Sequence, residues 1–308
     1  MSKIVFIVNP HAGKGSTAST WPLIESLARD RIGTFETYMT KGPGDAMTLA
    51  ENAVAENVRL LVGVGGDGTL NEVVNGLMKH QDAIRSNVTL GFIPKGTGCD
   101  FVRTVSIPHD IEEAVNLIAS GPVRIIDLGL LDYKDHRGRD RCRYFHNIAS
   151  FGLGGEVARR VNRTTRKLGP LISFMWATLV SIFLCGKKRM RISIDGNDDK
   201  KEMIVWHVAI ANGQYHGGGM WVAPNASICD GLLNITIIGD LSIPKVLLNL
   251  SKLYNGRICD IEDVVAVTGK KAFATSEDRV FTELDGEPSG LLPASVKIVP
   301  GALKIIAN

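Results

Sequence analysis

Over the first third of the chain, short aliphatic runs alternate with longer stretches of helical spacing. Residues 4–8, 59–64 and 88–93 are short runs rich in aliphatic and β-branched residues, with Arg59 and Thr89 the only polar members and no polar alternation. That is the pattern of strands covered on both faces, as in a parallel sheet. Between and after them, residues 21–31, 45–57, 70–80 and 111–119 place apolar positions three and four apart, which predicts helices. This order predicts a parallel sheet flanked by helices, in which ligands sit in the loops after the strands. Those loops are residues 9–16, 65–69 and 94–100, and all three are rich in glycine.

The texture changes near residues 122–127. Short strand-like runs follow at 123–131, 143–149, 189–195, 202–212, 232–238, 264–268, 272–275 and 295–299, separated by turn residues. The expected architecture is therefore α/β. A nucleotide-binding domain over residues 1–126 precedes a mostly antiparallel, β-sandwich-like domain over 127–308, and the last residues may be expected to pack back on the first domain.

Residues 168–185 interrupt this pattern with an almost wholly apolar stretch. Basic side chains crowd both ends, and no acidic residue occurs between Glu156 and Asp195. Three readings stay open: a core helix with solvated ends, a helix lying in a lipid interface, or a membrane span of borderline length.

Composition narrows the classes. With 44% hydrophobic and 22% charged residues the chain reads as globular, and a net charge of +3 is too small to argue for nucleic acid. The five cysteines are scattered, with no C-x-x-C pair, which argues against a zinc site or disulfide framework and fits a reducing compartment. The apolar run 4–8 is too short for a signal-peptide core.

The strongest local signal is Gly65-Gly66-Asp67-Gly68-Thr69-Leu70-Asn71-Glu72, between a predicted strand and a predicted helix. Glycines let backbone approach a polyphosphate, and free N–H groups at the helix start favour an anion. Asp67 would repel phosphate unless a cation lay between them, which points to Mg²⁺. Two other patterns fail. Gly63 to Gly68 fits G-x-G-x-x-G, but the next strand ends in Pro94-Lys95 rather than an acid. Residues 13–16 lack the spacing of a P-loop, whose first glycine would fall at Val8. The loops Asn9-Pro10-His11-Ala12-Gly13-Lys14-Gly15-Ser16 and Pro94-Lys95-Gly96-Thr97-Gly98-Cys99-Asp100 are modest signals singly. Together with the first they gather glycines, hydroxyls and two acids at one sheet edge, which suits a nucleotide phosphate.

These three loops resemble those of the diacylglycerol kinase catalytic-domain family, which includes bacterial lipid kinases, sphingosine kinases and ceramide kinases. The Gly-Gly-Asp-Gly-Thr element is shared with NAD kinases and phosphofructokinases. The narrower resemblance to bacterial lipid kinases rests on Asp127-Leu128-Gly129, Ser150-Phe151-Gly152-Leu153-Gly154-Gly155-Glu156, Asn212 to Met220, Asp230-Gly231-Leu232-Leu233 and Leu284-Asp285-Gly286-Glu287. It implies ATP binding by Asn9, Lys14, Thr40, Gly65, Gly66, Asp67, Gly68, Thr69, Asn71, Glu72 and Thr97. It implies Asp285 as general base, accompanied by Glu287, with Asp67 and Asp100 assisting at Mg²⁺. A second, peripheral magnesium site is implied at Asp230 with the backbone oxygens of Ser227 and Leu232. The chain departs from the family at Cys99, where Asn is common.

The resemblance implies an ATP-dependent lipid kinase acting on diacylglycerol or a relative. Its expected location is cytoplasmic, peripheral to the inner face of the membrane, with residues 159–191 as a contact. The oligomeric state stays open, a homodimer included. Two alternatives remain: a kinase of a soluble acceptor such as NAD, and a non-catalytic lipid- or nucleotide-binding protein on the same fold. On residues alone, Asp285-Gly286 and Asp230-Gly231 also read as ordinary hairpin turns, and His146 and His216 as packed core histidines.

Overall fold

The computed structural model describes the chain except for residues 1–2, 81–86, 97, 164–179, 182, 185 and 198–201, and the side chains of 161–163. The predicted stretch 168–185 thus falls largely outside the described residues. Two compact units form, one from Met1–Asp127 with Pro300–Asn308 and the other from Leu128–Val299.

The first unit holds strands β1 (Lys3–Val8), β2 (Glu36–Met39), β3 (Val58–Gly65) and β4 (Thr89–Pro94). Its helices are α1 (Ser16–Arg31), α2 (Asp45–Ala55), α3 (Asp67–Met78), α4 (Asp100–Thr104) and α5 (Ile111–Ser120). All strand pairs are parallel. β1 lies between β2 and β3, and β3 between β1 and β4. The chain returns at its end, where Lys304 and Ile305 pair parallel with Thr89 and Leu90 of β4. Phe6, Ile7, Leu61, Leu90 and Phe92 are fully buried under Ile24, Leu70 and Leu77 of the helices. Each such side chain contributes about 1.5–3 kcal/mol by leaving water.

The sheet order places the switch point between β1 and β3. Successive connections leave there in opposite directions, so the loops after the two strands part and open a crevice. Where the chain leaves and re-enters this unit, buried Asp127 accepts the Gly301 N–H at 2.7 Å. At the start of α5, the Asp110 side chain accepts the Glu113 N–H at 3.0 Å, a cap worth about 1 kcal/mol.

Of the strands and α-helices of this unit, two were not foreseen. β2 is a half-exposed edge strand, Glu-Thr-Tyr-Met, and so shows no apolar run. α4 spans five residues, too few to show a helical period. The predicted helices at 21–31 and 70–80 begin earlier, at Ser16 and Asp67.

The second unit contains β5 (Val123–Lys134, which begins in the first), β6 (Asp140–Phe145), β7 (Ile148–Gly152), β8 (Lys188–Ile194), β9 (Met203–Val205) and β10 (His207–Ala211). After them come β11 (Tyr215–His216), β12 (Met220–Trp221), β13 (Leu233–Ile238), β14 (Val264–Gly269), β15 (Lys271–Thr275), β16 (Phe281–Leu284) and β17 (Glu287–Ile306). Within this unit, helix α6 (Leu153–Arg163) follows β7, and α7 (Ile243–Leu248) follows β13. Antiparallel pairing runs β14-β13-β10-β7-β16, with β9-β8-β15 on a second path. The unit is a β-sandwich with apolar packing on both faces of its central strands. Val208 and Ile210 of β10 join Phe151, Leu233 and Ile235 in one core, while Ala209 and Ala211 join Ile148, Val222 and Leu241 in another. That is why residues 202–212 read as a continuous apolar run rather than an alternation.

Candidate active site

At the C-terminal end of β3 the chain turns through Gly66 into α3, and Asp67 is the first helical residue. Close backbone approach decides the local sequence. The Lys95 N–H donates to the Gly65 carbonyl at 2.6 Å, which ties the loop after β4 to the loop after β3. A Cβ on Gly96 would stand 2.5 Å from the Gly66 Cα, a distance that no side chain can relieve. The loop after β1 joins them. The Asn9 N–H donates to the Val64 carbonyl, and the Asn9 side-chain amide donates to Thr69 Oγ1, both at 2.9 Å. Lys14 is exposed in the turn Ala12–Gly15.

The two acids of these loops meet. A Cβ on Gly98 would lie 3.3 Å from an Asp67 oxygen and 3.9 Å from an Asp100 oxygen. Asp100 is buried, and Arg103 stands 4.0 Å from its carboxylate. Cys99, at a left-handed φ of 48°, is fully buried, and burial followed by the Asp67 charge pushes its thiol up to about 12. It is a protonated, inert thiol at neutral pH. Among the described residues no group of three or more His, Cys, Asp or Glu side chains could hold a metal. Two neighbouring carboxylates over a glycine nevertheless suit Mg²⁺, which takes one or two protein carboxylates and completes its shell from water and phosphate.

The remaining first-unit candidates divide. Thr69 and Asn71 are buried beneath the loop, and Thr40 is buried after β2, its N–H donating to Val8. Glu72 points elsewhere. Its carboxylate accepts the Gly44 N–H at 2.7 Å and the Ala46 N–H at 3.2 Å, so it holds the N-terminus of α2. Thr97 lies outside the described residues.

In the second unit Asp285 and Gly286 form a two-residue hairpin between β16 and β17, both with positive φ, 47° and 88°. The hairpin reading therefore holds, and the same turn also buries a carboxylate. Asp285 accepts N–H bonds from His146, Asn147 and Ile148 at 3.1, 3.1 and 3.0 Å. His146 Nδ1 stands 2.9 Å from Oδ2, and neither side chain is more than 1% exposed. Glu287 follows on the exposed side of the turn.

Two residues before Asp285, on β16, lies Glu283, also fully buried. Its carboxylate accepts the Ser150 hydroxyl at 2.5 Å and the Gly286 N–H, and His216 Nε2 is 3.4 Å away. Burial raises its pKa. Nearby, the buried His207 Nδ1 accepts the Gly154 N–H at 3.2 Å. Burial, then His216, pulls its pKa down to about 3, so it is a neutral acceptor at the start of α6. Sequence reasoning passed over Glu283. The one available signal was its place two residues before Asp285 in the same motif region.

The peripheral metal candidate is an exposed turn. Asp230 Oδ1 accepts the Leu232 N–H at 3.0 Å, and Ser227 Oγ lies 3.7 Å from Cys229 Sγ. One oxygen of Asp230 is thereby engaged locally. No described helix is long and apolar enough to cross a membrane.

Comparison with known proteins agrees with this arrangement. Residues 3–131 match the family model of the diacylglycerol kinase catalytic domain, and residues 147–307 match that of the YegS C-terminal NAD kinase beta sandwich-like domain. A "Diacylglycerol kinase" of Staphylococcus aureus (strain MRSA252) is 29% identical over 294 residues, which is 94% of this chain and 87% of that protein. A "Probable lipid kinase YegS-like" protein of Xanthomonas euvesicatoria pv. vesicatoria is 30% identical over 286 residues, covering 90% of each. The crystal structure of a candidate diacylglycerol kinase from Bacillus anthracis str. Sterne superposes with a TM-score of 0.80 at 27% identity, over 100% of this chain and 97% of that one.

Proposed function

The chain belongs to the diacylglycerol kinase catalytic-domain family of lipid kinases, and from that premise we propose that it transfers the γ-phosphate of ATP to the hydroxyl of diacylglycerol or a related lipid. The observation that carries the phosphate-handling half is the meeting of Asp67 and Asp100 beside Gly98, where three strands end. Gly65, Gly66, Gly68, Thr69, Asn9 and Asn71 shape the nucleotide loop, Thr40 and Thr97 are the proposed nucleotide-contacting hydroxyls, and Lys14 offsets phosphate charge. Asp67 and Asp100 would hold Mg²⁺, which would neutralise charge on the transferring phosphoryl group. Asp230, with Ser227 and Leu232, is the proposed peripheral magnesium site.

Asp285 is the proposed acceptor of the hydroxyl proton, with Glu287 beside it. Three N–H donors fix its carboxylate, and a loose phosphoryl-transfer transition state asks mainly for orientation of the hydroxyl and late proton removal. Its side chain is fully enclosed in this conformation. The basic and apolar stretch 159–191 is the proposed contact with the lipid surface. Within it Phe183 and Leu184 are 60% and 69% exposed.

The test is transfer of label from ATP to a lipid panel in mixed micelles, with NAD as a soluble competitor acceptor. Asp285→Asn is assayed beside the wild type. We expect a labelled lipid and a loss of about 10²–10⁴-fold in kcat in the variant, the usual weight of general base catalysis. Labelled NAD and no labelled lipid would move the acceptor to the soluble class. ATP binding with no product on either would leave a binding protein.

A further inference from the structure

The Asp285–Gly286 turn is held from behind by a side chain that no family motif assigns. Glu283 faces Ser150 directly across the β16–β7 ladder. Its two oxygens are divided between two strands' worth of structure. One takes the Ser150 hydroxyl of β7 at 2.5 Å, and the other takes the N–H of Gly286 in the turn itself. The three N–H donors that receive Asp285, at His146, Asn147 and Ile148, lie immediately before β7 or at its start. Glu283 therefore bridges the turn carrying Asp285 and the strand carrying its donors. A buried carboxylate is costly unless its acceptor sites are used. An apolar residue would fill the same place in a sandwich core more cheaply. The retained charge needs a local reason.

We infer that Glu283 is a positioning residue for Asp285, fixing the Asp285–Gly286 turn against β7 so that the Asp285 carboxylate keeps one geometry. The inference rests on the proposed role of Asp285. The groups that face Glu283 are Ser150 from β7, His216 from β11 and Gly286 and Asp285 from its own hairpin.

The chemistry separates tether from charge. In Glu283→Gln the amide oxygen still accepts the Gly286 N–H, and the amide NH₂ donates to Ser150 Oγ, which can accept. Glu283→Ala removes both bonds. The experiment measures kcat and the KM for ATP, in lipid-transfer assays, for Glu283→Ala, Glu283→Gln, Ser150→Ala and Asp285→Asn, with near-UV circular dichroism to establish folding. A turn displaced by about 1 Å costs on the order of 100-fold in a positioned reaction. We expect kcat to fall at least about tenfold in Glu283→Ala with the KM for ATP within about twofold, and Glu283→Gln to recover most of it. Added to Asp285→Asn, Glu283→Ala has no further effect on kcat.

Wild-type kcat in folded Glu283→Ala overturns the inference. So does a folded Glu283→Gln as impaired as the alanine variant, since a charge rather than a tether would then be needed. Where the alanine variant does not fold, Ser150→Ala cuts one tether alone, and unchanged kcat in it overturns the inference. Wild-type turnover in Asp285→Asn removes the underlying reading, whereas lost turnover there beside an unaffected Glu283→Ala removes this inference only.

Discussion

At the ends of β1, β3 and β4 the chain presents backbone, and around Asp285 it presents side chains. The first cluster depends on what is missing. Gly66 and Gly96 approach so closely that a methyl group on Gly96 has no room and one on Gly66 would be tight, and Gly98 leaves open the space beside two carboxylates. The second cluster depends on what is filled. Asp285, Glu283, Ser150, His146, His207 and His216 are all buried, and most of their described polar contacts are to one another or to neighbouring N–H groups. A site made of backbone can receive a polyphosphate of any attached base, because N–H groups recognise charge and not identity. A site made of buried, mutually satisfied side chains is stiff and tolerates little change. On the proposed reading the first cluster handles the nucleotide and the second controls the geometry of one carboxylate.

The comparison breaks most readily at Asp67. Asp67→Asn keeps the shape of the loop and removes one of two adjacent charges. If that carboxylate serves a cation, we expect kcat to fall by about 10²–10³-fold, the weight of a preorganised electrostatic group. Part of the loss should return at elevated Mg²⁺ or Mn²⁺, measured as a shift in the half-saturating metal concentration. An unchanged metal dependence would make Asp67 a helix-start acid and no more. A smaller effect is expected at Gly96. Gly96→Ala places a Cβ 2.5 Å from the Gly66 Cα, so the two loops must part. Such overpacking costs about 1–3 kcal/mol. Read as nucleotide affinity, that is about a 5- to 150-fold rise in the KM for ATP, with the lipid KM unchanged. A rise in the lipid KM instead would tie the glycine loops to the acceptor.

The same contrast explains what could be read from the chain. The glycine loops were legible because a glycine is a visible commitment, and because the apolar runs before them fix which edge of the sheet they share. β2 was not legible, since an edge strand with half-exposed polar residues has no pattern of its own. β17 was foreseen only at 295–299, because Pro288, Pro293 and Pro300 mask a strand whose ladder tolerates them. The residues around Asp285 were legible as motif letters and not as a cluster. Glu283 and Ser150 are 133 positions apart and meet only through the ladder register. His146 and His216 looked like packed core histidines, and they are buried, yet each faces a carboxylate.

Glu72 is where the two kinds of site can be confused, and it gives the smallest expected effect. It belongs to the Gly-Gly-Asp-Gly-Thr-Leu-Asn-Glu run, which by sequence places it with the nucleotide. Its two oxygens instead hold the Gly44 and Ala46 N–H groups at the start of α2. In Glu72→Gln one oxygen still accepts, while the other is replaced by an amide NH₂ that faces an N–H donor. The charge near the helix start is also lost. The expected cost is about 1 kcal/mol, from one charge-assisted bond and the helix-dipole term. For a unit of this size that lowers Tm by about 2–4 °C, with kcat and the KM for ATP unchanged. Differential scanning calorimetry beside the ATP titration decides it. A shifted ATP KM at constant Tm would return Glu72 to the nucleotide, and would mean that α2 finds its cap elsewhere when ATP is bound.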